Sequence, residues 1–484
     1  MLKKFVLFGL LFSCAHTHVH GQDREDEKNA LPEIGVVASN AISIEKEKQL
    51  GDIFMRQLRG QSPLISDPLL QEYIQDLGNR LVTQADNVKF PFTFFLLNNQ
   101  SINAFAFFGG HIGIHTGLIY HASDESELAS VIAHEIAHVT QRHIARSIQA
   151  QQKFSPVAML SMLGGILLAV ADPEAGFATI SATSAAARQS SINYTRSNEK
   201  EADRIGMRIL AEAGYDPNAS VRFFETLAAK YRHASNSTPF LFTHPLPDSR
   251  IADARSRAAQ FKQTNAAKSL DFELAKARIQ ARYYADAKYN IRYFQNQLDE
   301  NPHPSAAHKY GLALSLFENE QFDKADKIIG TLIQQDPENL FYIDTATDIA
   351  LAKENAPSAI QMLNKHLSKK PLNQVITLNL ANVYIEDKQF EKAVELLKDF
   401  MLVNPEHFLA QQLIAVAYER SGQNMRMRQA RAEIGALSGR YEPAIDELQH
   451  AYNLARSTGS HLEKQRIQAR IDQFRAAQQQ LKSL

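Results

Sequence analysis

Three prolines, Pro337, Pro371 and Pro405, recur every 34 residues in the second half of the chain, and Ala325, Ala359 and Ala393 recur with them. A fixed period of this length signals stacked copies of one supersecondary unit. The small alanines let the two helices of a unit approach closely. Each proline ends the second helix, because it cannot supply the N–H that another turn needs. No such unit buries its apolar face alone, so the stretch must stack into an all-α solenoid. The chain of 484 residues also exceeds the roughly 250 to 300 at which one core stops growing. At least two domains follow.

Leu380, Ala381 and Tyr384, with Ala393 and Pro405 after them, match the tetratricopeptide pattern, and Ala313, Phe322, Ala325 and Pro337 match it two periods earlier. The repeat region is read as 268–484. A weaker copy fills 270–302, and "ALSGRYEPAIDELQHAYNLA" restores the pattern after an insertion that breaks register, giving four or five units. The concave groove of such an array binds peptide or protein.

Residues 30–262 follow a different grammar. Helical stretches such as "DPLLQEYIQDLGNRLVTQA" alternate with β-like runs, "FPFTFFLLNN" and "INAFAFFGGHIGIHTGLI". The second run is broken at Gly109, Gly110 and Gly113, the pattern of a bent strand or hairpin. This half is α+β. His111 and His115 alternate along it and read as strand-surface residues, not ligands.

The chemistry is concentrated in "SDESELASVIAHEIAHVTQRHIARSIQ". Asp124 followed by Glu127 is a capping signature, and no Gly or Pro comes after it, so the spacing predicts one continuous helix. His134 and His138 share a face and can reach one metal ion. Glu135 is offset, as suits a base that touches the attacking water without ligating the ion. A catalytic zinc needs a third protein ligand, and a second helical stretch, "YTRSNEKEADRIGMRILAEAG", offers Glu199, Glu201 and Asp203. Glu199 and Asp203 share a face, so the first can ligate while the second hydrogen-bonds a ligand histidine. Glu201 points elsewhere and ranks behind Glu199.

The chain opens with Lys3 and Lys4, an apolar run from Phe5 to Phe12, and small residues at Val19 and Gly21. This reads as an export signal over residues 1–21, too short in its apolar part to anchor the protein in a bilayer. Cys14 is the only cysteine; Phe12 fits a lipoprotein cleavage pattern poorly, so removal with the signal is favoured over a lipid anchor. The mature chain then has no thiol and no disulfide. His16, His18 and His20 fall beside the removed segment. A formal net charge of −1 without any basic run excludes electrostatic capture of nucleic acid. Between the two candidate zinc helices, the apolar run Val157 to Ala171 is too short to span a membrane. Residues 157–187 read as a helical hairpin, either over the active site with a membrane-surface contact or simply in the core.

In order, "INAFAFFGG", "HEIAH", "NEKEAD" and "THPLPDSR" resemble the glutamate-zincin peptidases related to the CAAX prenyl endopeptidases and the bacterial heat-shock membrane peptidase. The resemblance implies a zincin-type metallopeptidase domain followed by the solenoid. It implies one zinc ion per chain, held by His134, His138 and Glu199, with Glu135 as general base. It also implies that "NAFAFFGG" is an edge strand on which an extended substrate is laid, with Asn103, Ala104 and Phe105 near the cleft; strand addition reads backbone more than side chain. His244 has three readings: a fourth zinc ligand that keeps the enzyme latent until its loop moves, a group that steadies the oxyanion with Arg250, or a turn histidine before a helix. With repeats and an export signal in place of membrane spans, the resemblance implies a periplasmic endopeptidase. It further implies that the clients are misassembled or stalled outer-membrane β-barrel proteins and that the solenoid docks clients or the barrel-assembly complex. The rival expectation is a chaperone or assembly adaptor whose zinc site is latent or structural.

Overall fold

The computed structural model describes residues 42–150, 185–231, 240–241, 244–262, 268–300, 305–457 and 460–482. The export signal, Cys14 and all but the end of the segment 157–187 lie outside these residues. Ser43 caps α1 (Ile44–Gln61) by accepting from Lys46 N, and Asp67 caps α2 (Pro68–Val82) by accepting from Leu69 N and Leu70 N. Pro68 stands at the first helical position, where its missing N–H leaves no bond unmade.

Strands β1 (Thr93–Leu97), β2 (Ala104–Phe107) and β3 (His111–His115) form a sheet in the order β1-β3-β2, with β1 parallel and β2 antiparallel to the central β3. Among the described residues, β2 is thus an edge strand. Gly109 and Gly110, at φ +77° and +84°, make the reversal that only glycine adopts freely. Gly113 interrupts nothing: it sits inside β3, where a Cβ would come within 2.4 Å of the Phe105 ring. His111 and His115 are buried, contrary to the strand-surface expectation, because Phe95, Phe105 and Phe107 cover that face beneath α1. His115 bonds Ser101 Oγ through Nδ1 at 2.8 Å.

A short helix α3 (Thr116–His121) leads to α4 (Glu125–Thr140). Asp124 accepts from Glu127 N, and the Glu127 carboxylate reaches back to Ser123 N, closing the expected capping box. Every residue from Ser126 to Ala137 is buried, so α4 is a core helix and not an amphipathic surface one. It is also not continuous. The helix stops at Thr140, Arg142 takes φ +51°, and α5 (His143–Ala150) starts in a new direction. The long α6 (Ala185–Glu212) packs along α4. A Cβ at Gly206 would lie 3.0 Å from His134 N and Cα, so the absence of a side chain sets how closely the two helices approach. Two more helices, α7 (Asn218–Tyr231) and α8 (Asp248–Ala258), close that side.

The second half runs as six helix pairs among the described residues, from α9 (Leu270–Ile279) and α10 (Ala287–Asp299) to α19 (Tyr441–Ser457) and α20 (His461–Lys482). The segment expected to be an insertion is itself a pair, α17 (Phe408–Arg420) and α18 (Asn424–Leu437), with Met427 where the alanine would fall. The backbone repeats more faithfully than the side chains. Inside successive pairs, Glu320, Glu354 and Lys388 take φ +59°, +57° and +59°, and Gly422 takes φ +73°. The next residue's N–H then bonds back to Leu316 O, Ala350 O, Tyr384 O and Tyr418 O, each at 2.8 Å, the six-to-one bond that satisfies a helix C-terminus.

The solenoid curls around the first half. Its inner layer is formed by the first helices of the pairs, α11 (Ala306–Glu318), α13 (Leu340–Ala352), α15 (Gln374–Glu386) and α17, which touch one another in succession. Parts of the same chain lie against that layer. Arg278 of α9, 1% exposed, meets Asp67 Oδ2 at 2.6 Å, Asp344 Oδ2 at 2.8 Å and the Tyr310 hydroxyl at 2.9 Å. Asn373 donates to Glu72 at 3.0 Å, and Gln374 to Pro68 O at 3.3 Å. Arg59 and Arg56 of α1 donate to Leu437 O and Ala436 O at the C-terminus of α18, where a cation is favoured. One apolar cluster runs from Ile65 to Val375. The expected boundary at 262–268 therefore marks a change of grammar within a continuous core.

Candidate metal centre

Two turns of α4 and one face of α6 converge. His134 Nε2 and His138 Nε2 are 3.0 Å apart; Glu199 Oε2 lies 3.4 Å from the first and Glu199 Oε1 3.3 Å from the second. His244, on the loop that enters α8, brings Nδ1 to 3.2 Å from both Glu199 oxygens and 3.3 Å from His134 Nε2. One donor atom from each of these four residues lies within 4.8 Å of every other. Three imidazoles and a carboxylate, all turned toward one point in a largely buried pocket, suit a zinc-type divalent ion. The residues fit the group.

The surroundings hold these donors in place. His134 Nδ1 is 3.1 Å from Asp203 Oδ1, the orienting contact expected from the Glu-x-x-x-Asp spacing. Burial opposes a charge on His134, but its bonds to Asp203 and Glu199 outweigh that and raise its pKa to about 10. Burial dominates at His138 and pushes it down to about 4. Glu199 is driven well below the usual carboxylate range, its burial outweighed by His244, His138 and His134.

Glu135 is 1% exposed and points beside the donors. Burial raises its carboxyl, partly offset by His244 and His134, and it accepts the Ala106 N–H. His244 Nε2 is 3.3 Å from Glu135 Oε1 but poorly aligned, so that oxygen has no hydrogen-bond partner.

Two expected site residues turn out to be placed differently. Arg250 is 2% exposed and fully engaged: Nε and Nη2 hold both Asp203 oxygens at 2.8 and 2.7 Å, while Nη1 reaches Pro245 O at 2.7 Å and Glu199 Oε2 at 2.9 Å. It clasps the His244 loop to α6, with every guanidinium nitrogen already committed there. Phe105 lies on the edge strand but turns inward. The bond from His115 N to Asn103 O, 3.0 Å, sets the antiparallel alternation, so Asn103, Phe105 and Phe107 face β3 while Ala104 and Ala106 present their backbone groups outward. Ala106 could have been found from that alternation. Asn103 is 3% exposed with Oδ1 unpartnered.

Glu201 is not among the donors. Its Oε2 takes Arg146 Nη1 at 2.9 Å and His143 Nε2 at 3.3 Å, and His143 Nδ1 sits 2.9 Å from His138 Nδ1. His143 escaped the sequence reading because five residues on an unbroken helix do not face each other. Behind His134, a narrow cleft is lined by Val131, Met207, Phe223, Phe224 and Phe240, among others. Among the described residues, no helix is long and apolar enough to cross a membrane.

Comparison with known proteins agrees with this geometry. Residues 68–258 match the model of peptidase family M48, and residues 350–417 match a tetratricopeptide repeat model. The chain is 43% identical over 461 residues to the β-barrel assembly-enhancing protease of Escherichia coli K12, covering 94% of this chain and 93% of that one. It is 41% identical over 476 residues to the protein of that name from Yersinia pestis, covering 98% and 97%. A relative from Vibrio cholerae is 45% identical over 458 residues, 94% of each chain. With a donor cluster inside the M48 match and the solenoid inside a likeness that spans nearly both full lengths, the chain belongs to the M48 metalloproteases, in the group of β-barrel assembly-enhancing proteases.

Proposed function

We propose that this metalloprotease is an exported, periplasmic zinc endopeptidase that cleaves misassembled outer-membrane β-barrel proteins and assists the assembly of others. The observation that carries the reading is the convergence of His134, His138, Glu199 and His244 on one point beside a buried Glu135 whose Oε1 lacks a hydrogen-bond partner. His134, His138 and Glu199 would hold zinc, which, when bound, supplies a Lewis acid that polarises the scissile carbonyl and acidifies water.

The remaining steps belong to the protein. An extended peptide adds to the outer edge of β2, its backbone meeting the outward groups of Ala104 and the Ala106 carbonyl, since Glu135 takes the Ala106 N–H, with Asn103 Oδ1 at the strand's start. Glu135 takes the proton of the attacking water on a carboxylate oxygen and returns it to the leaving nitrogen; its raised pKa suits both halves of that exchange. His244 shares the donor cluster at ligand-like distances, which supports the latent reading: the loop clasped by Arg250 must shift before substrate is seated. Burial of the solenoid's inner layer leaves its outer helices and rims for clients or the barrel-assembly complex. The names of the relatives support assembly as the context.

Glu135→Gln tests the assignment. The variant is expected to retain zinc by metal analysis and to lose about 10²- to 10⁴-fold in cleavage of an unfolded outer-membrane barrel protein. Near-normal proteolysis by the zinc-loaded variant would remove Glu135 from its role.

A further inference from the structure

The two histidines of α4 are supported in different ways. His134 places its second nitrogen directly on a carboxylate, Asp203. His138 turns Nε2 into the donor cluster and Nδ1 onto a third histidine, His143, at 2.9 Å, with ring centroids 4.8 Å apart in an edge-on arrangement. His143 is 3% exposed, and its Nε2 lies 3.3 Å from Glu201 Oε2.

A neutral imidazole carries one proton, and that fixes the direction of the chain. If His138 Nε2 offers its lone pair to an ion, the His138 proton is on Nδ1. That N–H points at His143 Nδ1, which must then be the acceptor. The His143 proton is left on Nε2, where Glu201 accepts it. Each tautomer determines the next, and Arg146 Nη1, 2.9 Å from the same Glu201 oxygen, keeps the far end charged.

The backbone is bent to make this possible. Residues five apart on an uninterrupted helix sit roughly 140° apart around its axis and cannot face one another. The break at Arg142 swings His143 under His138. Arg142 pays for its left-handed φ of +51° with a buried clasp, donating to Glu47 Oε1 through Nε at 2.8 Å and to Ile42 O at 2.7 Å.

We propose that His143 is a positioning residue of the metal centre: it accepts from His138 Nδ1 and donates to Glu201, holding His138 in the tautomer and orientation that ligation needs. This deepens the zinc reading above and rests on it. Two carboxylates, Asp203 and Glu201, then support the two histidines, one directly and one through an intervening ring.

The test is zinc affinity of the full-length protein, measured by chelator competition, with cobalt(II) absorption as a record of ligand geometry. His143→Phe keeps a ring and removes both bonds; it is expected to weaken zinc binding about 10- to 100-fold and alter the cobalt spectrum. His143→Gln, whose amide can accept and donate, is expected to recover most of the affinity. If His143→Phe does not fold, Glu201→Ala at the more exposed end should weaken binding in the same direction. Wild-type affinity and spectrum in His143→Phe, or in Glu201→Ala in its place, would overturn the proposal. Glu199→Gln and His134→Phe run alongside: if they too bind zinc normally, the metal-site reading itself fails, whereas loss in those two alone refutes only the role of His143.

Discussion

Replacing Arg278 with Met asks whether the solenoid and the peptidase fold are one cooperative structure. The Arg278 side chain is among the largest fully buried ones in the described residues, and its guanidinium joins Asp67 at the start of α2 to Asp344 on α13. Met keeps an unbranched, flexible stem and carries no charge, so the substitution leaves two buried carboxylates without their cation. Breaking a buried pair in this way costs about 3 to 5 kcal/mol. The structure favours the lower end. Asp67 keeps the amides of Leu69 and Leu70 and has Arg282 Nη1 at 3.8 Å, while Asp344 keeps Asn379 Nδ2 at 2.8 Å. The Asp344 contact is an ion pair more than an aligned hydrogen bond, since its Oδ2 has no partner by angle. A loss of about 3 kcal/mol is expected. Urea unfolding should be followed by far-ultraviolet circular dichroism, dominated by the solenoid, and by zinc release, which reports the metal centre. Because the core is continuous from Ile65 to Val375, both midpoints should fall together, and adding Asp67→Asn and Asp344→Asn should restore part of the loss. A shift in the dichroism alone, or no shift in either probe, would refute the argument that Arg278 ties one core together.

His244→Ala should raise peptide hydrolysis and weaken metal retention, because it removes a donor from the cluster; a slower enzyme with unchanged zinc affinity would move His244 to the transition state. Burial holds His115 down to about 4 against an ordinary 6.5, so between those values the unfolded chain takes up a proton that the fold refuses. Stability from this residue is complete above pH 6.5 and is lost as pH falls toward 4, up to about 3 kcal/mol. His115→Asn should flatten that acid limb in pH-dependent unfolding, and an unchanged slope would count against the assignment. Gly206→Ala places a methyl 3.0 Å from the His134 backbone, and should lower the melting temperature by an overpacking cost of about 1 to 3 kcal/mol while weakening zinc binding; normal zinc affinity would show that the helix spacing has slack.

Much of the site could be read from sequence because helical spacing is local. His134 and His138 four apart, and Glu199 and Asp203 four apart, are fixed on their faces by the helix itself, and the structure brings both faces together. The repeats were legible for the same reason, since Ala325 and Pro337 recur at a constant interval. What escaped depended on contacts distant in sequence or on a backbone state that residue type does not announce. Arg142 is an ordinary residue in a left-handed conformation, stabilised by Glu47 far upstream, and without that break His143 has no reason to meet His138. Arg250 looked like a free cation until its three partners were in place. The pair at 408–437 hid because Met427 fills the alanine position, although the turn at Gly422 keeps the backbone pattern.

The packing of α2 against α15 in the solenoid's inner layer has a consequence for competition. A segment joined covalently to its own binding surface acts like a ligand at an effective concentration on the order of millimolar. A free peptide of equal intrinsic affinity displaces it only near such concentrations. Because α2 also belongs to the core that runs from Ile65 to Val375, displacing it would open that core as well, so a client would be met on the outer helices and rims.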